Sequence, residues 1–311
     1  VLKQELRFAK VAGRYRKALQ KRDKAALALL ERVCLFRLGA DAETLTRIFT
    51  GKGTQKVAGH ALCRLNAEQL QKRLDLLVRM GLLETSLHGP MRERGTEPGK
   101  IYTIHPAVRD GFLKALAPED KLNSHEALRK GLEVSLADAP GKNPSDPATL
   151  DLLEEIVHHT LQSGHVREAW DIYWNRIGGG RNLIWRLGAY ERGERICRAF
   201  ADGQTPETLS GWLHQPEAAI PQLPTDGDAQ QPNAGALRRM PFLDLPEATQ
   251  TIFICEWAVY LKDLGRLAAA ARCHELHLEM EIRREDWMNA SITNQNPVSY
   301  THLTLPTTIE V

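Results

Sequence analysis

Leu74-Asp75-Leu76-Leu77-Val78-Arg79-Met80-Gly81-Leu82-Leu83-Glu84 and, after a loop, Ile101-Tyr102-Thr103-Ile104-His105-Pro106-Ala107-Val108-Arg109-Asp110 are the stretches whose reading decides the fold. Leu70, Leu74, Leu77 and Val78 recur at helical spacing behind Asn66, so a helix capped by Asn66 is predicted through Met80, with Gly81 ending it. Leu82-Leu83-Glu84 then reads as a short strand. Residues 88–99 are rich in Gly, Pro and charge and read as a loop. Ile101-Tyr102-Thr103-Ile104 reads as a second strand able to pair with 82–86. A helix that runs into such a two-stranded wing is the closing half of a winged helix. His105 stands at the junction between the wing and the helix that follows it.

The preceding residues supply the other half. Residues 2–20 and 23–38 read as two helices. Asp23 can cap the second, Leu27, Leu30, Val33, Cys34 and Arg37 lie at helical spacing, and Gly39 is the expected stop. Asp41 caps a further short helix. Beyond residue 119 the pattern is helical throughout. Helix 147–163 pairs with 165–176, and helix 246–264 with 266–283. Each pair breaks at a glycine, Gly164 or Gly265, with Ala169 or Ala270 five residues on. A glycine reverses the chain tightly and an alanine lets the second helix lie close, which is the turn of a tetratricopeptide-type hairpin. Residues 203–240, with Pro206, Pro216, Pro221, Pro224 and Pro232, read as a long mobile insertion.

The predicted fold is therefore mainly α, a winged-helix domain followed by an α-solenoid of tetratricopeptide-like hairpins. The expected divisions are 1–118 (helical segment and winged helix), 119–202 (hairpins), 203–240 (insertion), 241–296 (a further hairpin, truncated) and 297–311. In the last, Val298-Ser-Tyr-Thr-His-Leu-Thr-Leu-Pro-Thr307 matches one reading frame of a transposon-end sequencing adapter and is set aside as an artefactual tail. The chain opens at Val1 inside a helical pattern and is expected to continue beyond both ends.

With 311 residues, 42% hydrophobic and 26% charged, the composition is that of an ordinary globular protein. A net charge of +2 gives the whole chain no pull toward nucleic acid or anionic membrane, so neither is expected as a partner. The charge is uneven, however. Residues 1–37 hold eleven Lys and Arg against Glu5, Asp23 and Glu31, as a solvated helix face or a surface for phosphate. Cys34, Cys63, Cys197, Cys255 and Cys273 lie far apart in apolar contexts, as buried thiols of a cytoplasmic protein do. No apolar run is long enough to cross a membrane, and no signal peptide is visible.

Chemistry-bearing motifs are few. Gly51-Lys52-Gly53-Thr54 and Gly178-Gly179-Gly180 lack the spacing and strand-to-helix setting of a phosphate loop. His158 and His159, being adjacent, are expected to point to different sides of their helix. His274 and His277, beside Cys273, could share a metal, but no third ligand is evident, so no metal site is assigned. No catalytic residue is assigned. Trp170, Tyr173, Trp174 and Trp185 form an aromatic cluster, as hairpin core or as a groove. Helix 67–80 carries Gln69, Lys72, Arg73 and Arg79 on its polar side, diluted by Glu68 and Asp75. That mixture suits a structural winged helix better than a DNA reader.

Taken together, Ala25–Phe36, Leu74–Glu84, Tyr102–Phe112, Ala169–Ile177, Leu187–Tyr190 and Glu285–Ala290 resemble, in order and spacing, the region beyond the nucleotide core of bacterial STAND-class signalling ATPases, the NB-ARC and NACHT-like regulators. The resemblance spans most of residues 20–296. It implies a winged helix that closes over an ATPase core and a Met-His-Asp-type motif whose His approaches the phosphates of ADP. His105 matches that His, with Ile104 in place of Met and Pro106 in place of Asp; a helix-capping or wing-packing His is the alternative. The resemblance further implies repeats that bind a protein or small ligand, a nucleotide core in cis, ADP or ATP held by that core, and self-association on activation. With no phosphate loop or metal-binding acids of its own, this chain is not expected to hydrolyse ATP. The rival readings are part of an ATP-dependent transcription regulator and a plain repeat scaffold.

Overall fold

The computed structural model describes residues 2–51, 61–86, 100–136, 142–213, 240–286 and 288–289. The 88–99 loop, Lys52-Gly53-Thr54, most of the 203–240 insertion and the 297–311 tail lie outside them. The protein is mainly helical and divides into two compact units, Val1–Ile177 and Gly178–Val311. The boundary falls within the 119–202 span.

In the first unit, α1 (Leu2–Arg22) is followed at once by α2 (Lys24–Val33). Asp23 turns the chain: its Oδ1 accepts from Ala25 N at 3.0 Å and Ala26 N at 2.9 Å, and Arg73 Nε reaches it at 3.3 Å. Asp23→Ala is expected to cost about 1 kcal/mol, the usual loss for a helix cap. A thermal melt checks this, with Asp23→Asn retaining most of the stability.

The predicted 23–38 helix ends early, at Val33. Leu35 and Phe36 continue as a buried turn, and Gly39 serves the sheet instead of stopping the helix. Its φ is +85°, and a Cβ there would fall 2.7 Å from Tyr102 O, so only glycine fits. A short strand, β1 (Ala40–Asp41), precedes α3 (Ala42–Phe49), which Asp41 caps at 2.7 Å from Thr44 N.

Next comes α4 (Ala67–Arg79). Asn66 Oδ1 accepts from Gln69 N at 2.8 Å while Gln69 Oε1 accepts from Asn66 N at 3.1 Å, a reciprocal capping box. Leu70, Leu74 and Leu77 are its buried face. The strand expected at Leu82 begins two residues later. Leu82 N and Leu83 N both donate to Leu77 O, which holds them to the helix end. Strands β2 (Glu84–Ser86) and β3 (Ile101–Thr103) pair antiparallel, with Thr85 opposite Tyr102, and β1 pairs with the other edge of β3. The sheet order is β1-β3-β2.

Four helical segments complete the unit: α5 (Pro106–Leu113), α6 (Pro118–Ser135), α7 (Pro147–Gln162) and α8 (Val166–Asp171). The last runs on as a π-helical turn over Ile172–Ile177. Helix α1 lies on α2 and α5, α4 on α2 and α3, and α6 on α3 and α7. The α7–α8 turn uses Gly164 at φ +85°, and Ala169 is fully buried.

The second unit holds α9 (Gly179–Leu183), α10 (Tyr190–Phe200), α11 (Pro206–Leu213), α12 (Glu247–Asp263) and α13 (Leu267–Arg283). Helices α12 and α13 form an antiparallel hairpin about Gly265 at φ +74°, with Ala270 fully buried. Phe200, Phe242, Phe253 and Trp257 form its aromatic core, with ring centroids 5.1–5.8 Å apart. The predicted helix pairs and their Gly-to-Ala turns are therefore present in both units.

Candidate functional site

Strand β3 ends at Thr103, Ile104 is buried, and His105 emerges exposed. Its carbonyl accepts from Val108 N at 2.9 Å and Arg109 N at 3.0 Å, so His105 occupies the cap position of α5. Pro106, which has no N–H to satisfy, takes the first helical position. One turn on, Arg109 points back into the unit and its Nε donates to Cys34 O at 2.8 Å. Helix α5 is thus fastened to the end of α2 while it presents an imidazole outward. An imidazole N–H beside the first turn of a helix is placed to donate to an anion.

Behind this junction lies a buried polar chain. Arg37 donates to Glu154 Oε1 at 2.9 Å. The backbone N–H groups of Arg37 and Leu38 both donate to Glu155 Oε1, at 3.0 and 2.8 Å. Glu155 Oε2 faces His159 Nε2 at 3.4 Å, and His159 Nδ1 meets His125 Nδ1 at 2.8 Å. Only one of those two Nδ1 atoms carries the proton. The edge of Phe36 closes on the His159 ring at 5.8 Å. Glu154, Glu155, His159 and His125 are all buried. The chain links the α2–β1 turn, α7 and α6.

His158 and His159 do not diverge as their adjacency suggested. Their ring centroids are 5.2 Å apart, and His158 lies 5.9 Å from His125. Burial pushes both well below the usual histidine range, helped by the nearby Arg37 guanidinium. Burial pushes Glu155 upward against the opposing pull of Arg37 and its two backbone donors.

These shifts have a sign. A histidine kept neutral in the fold binds no proton where the unfolded chain does, so its stabilisation is present above pH 6.5 and is lost as pH falls below it. Glu155 acts oppositely, because the fold favours its protonated form above 4.5, where the unfolded carboxylate is charged. His159→Gln removes one of the two histidines. It should make the fall in stability between pH 6.5 and 5 shallower by up to about 1.4 kcal/mol per pH unit. Urea titrations at several pH values measure this, and an unchanged slope would refute the assignment of His159 as a neutral buried group.

The remaining candidates behave differently. Trp170 stacks on Trp174 at 5.5 Å and touches Tyr173 at 5.3 Å, and Tyr173 is buried. Trp185 belongs to the second unit and is 81% exposed, so it is not hairpin core. At Gly178-Gly179-Gly180, the Gly180 N–H donates to Glu256 Oε1 at 2.9 Å. A carboxylate thus occupies the place a phosphate would need. Cys273 and His274 are buried, burial holding the thiol high and His274 down to about 4, and His277 Nε2 faces Glu281 Oε1 at 3.3 Å. Among the described residues, no group of three His, Cys, Asp or Glu is disposed to hold a metal ion.

Several polar groups of α4 pair within the protein. Lys72 pairs with Glu68 at 2.7 Å, Arg73 Nη1 donates to Gln69 O at 2.9 Å besides reaching Asp23, and Gln71 bridges Asp75 and Tyr102. No described helix is long and apolar enough to cross a membrane. All five cysteines are free, and Cys255 alone among them is only half-buried. No family model, curated protein or solved structure matches this chain.

Proposed function

We propose that the chain is the regulatory and sensor portion of a STAND-class signalling ATPase. In this reading, residues 1–118 hold a winged-helix domain that gates a nucleotide core lying outside these 311 residues, and the helical hairpins are tetratricopeptide-like repeats that receive a ligand or partner protein. The element order helix, strand, helix, helix, strand, strand and the sheet order β1-β3-β2 support the winged helix. The observation that carries the reading is the exposure of His105 at the cap of α5, immediately beyond β3.

The role follows from that placement. His105 donates to a phosphate of ADP only while the winged helix rests on the core, so it biases one of two domain arrangements. Arg109 keeps α5 in register with the rest of the unit, and the Arg37–Glu155–His159–His125 chain carries that register to the first hairpin. The chain itself hydrolyses no ATP; it holds or releases a cytoplasmic core that does, and release permits self-association. The test is whether ADP leaves the intact ATPase faster when the His105 side chain is removed.

A further inference from the structure

Four cations of α1, Lys10, Arg14, Lys17 and Lys21, follow one another at steps of four and three residues. That spacing keeps them on one face. At 3.6 residues per turn, Lys10, Arg14, Lys17 and Lys21 fall within about 60° of arc and run for about 16 Å along the helix. All four are exposed, and Ala12 and Leu19, on the opposite side of the turn, are buried. Helix α1 meets α5 there: a Cβ on Gly111 would stand 2.9 Å from Ala12 Cβ.

Three other cations of the segment are already engaged or withdrawn from solvent. Arg16 pairs with Glu31 at 3.0 Å, Arg32 is buried, and Arg37 is committed to Glu154. No acidic group among the described residues pairs with Lys10, Arg14, Lys17 or Lys21. The whole-chain charge of +2, which argued against a nucleic-acid partner, averages this row with acids placed elsewhere.

We propose that this face of α1 binds the phosphate backbone of duplex nucleic acid without reading its sequence. Evenly repeated cations on a rigid helix suit a polyanion of repeating charge, and the binding energy comes from release of its counterions. A membrane would need large apolar side chains to insert beside the cations, and the described part of α1 exposes none. A protein partner would need an apolar anchor at the centre of the contact, and Ala18 and Gln20, the other exposed residues among the described side chains of Lys10–Lys21, supply none. With no aromatic or amide array on the face, there is nothing to read bases. The proposal is independent of the nucleotide-gating role of His105.

The test is fluorescence anisotropy of the purified chain with a labelled random-sequence duplex from 50 to 200 mM salt. Four phosphate contacts give a log–log slope of about −3.6, or about a 150-fold loss of affinity over that range. Lys10→Gln, Arg14→Gln, Lys17→Gln and Lys21→Gln combined should remove that contribution. Arg14→Gln alone, which alters one exposed side chain, should make the slope shallower by about 0.9 and serves if the combined variant folds poorly. Lys72→Gln on α4 should change neither slope nor affinity. Absence of duplex binding at 50 mM salt, an unchanged slope in the variants, or tighter capture by phosphatidylserine vesicles or polyglutamate than by duplex would each overturn the proposal.

Discussion

Glu155→Ala is expected to destabilise the first unit by about 3–5 kcal/mol, the cost of breaking a buried polar network from one side. Glu155 Oε1 is the acceptor for two backbone N–H groups, those of Arg37 and Leu38, and Oε2 lies 3.4 Å from His159 Nε2. Alanine strands both donors in a dry interior at about 1–3 kcal/mol each and leaves a cavity as well. For a unit of this size the melting temperature should fall by about 6–20 °C. Glu155→Gln is the discriminating control, since its amide oxygen can still accept both N–H groups and most of the stability should remain. A Glu155→Ala melt within about 1 °C of wild type would mean that the buried chain contributes nothing to the joint between the sheet-bearing part of the unit and its hairpin.

The local signals in the sequence were accurate because caps and turns are decided by a few neighbouring residues. Asp23, Asp41 and Asn66 cap the helices they were expected to cap, and Gly164 and Gly265 make the expected reversals. The pairing of 101–104 with 82–86 was legible from two short apolar runs around a loop. Strand β1 was not, because two residues carry no periodicity, and its place depends on Gly39 lying against Tyr102.

The buried chain was hidden for a different reason. Glu154, Glu155 and His159 sit in a helix whose neighbours Leu153, Ile156, Val157 and Leu161 are all buried, so the helix is packed nearly all round. Charged residues in such a helix are the available signal, but it names no partners. His125 and Arg37 come from segments 34 and 118 residues away from theirs. The cationic row on α1 was visible as composition, and the burial of Ala12 and Leu19 is what turns it into a face.

His105→Ala carries the second large effect and bears on the gating role itself. A charge-assisted or neutral imidazole donor on a phosphate oxygen is worth roughly 1.5–3 kcal/mol. Removing it should weaken ADP retention by about 10- to 150-fold and raise signalling in the absence of ligand. The substitution should keep the start of α5, because the hydrogen bonds there use the His105 carbonyl, which alanine keeps. Matching thermal melts of variant and wild type establish that first. The decisive measurement is the dissociation rate of a fluorescent ADP from the full-length protein that the proposed function takes to be an ATPase. The gating role predicts release about 10- to 150-fold faster in His105→Ala; a folded variant that releases ADP at the wild-type rate would contradict it and leave His105 as the cap of α5 alone.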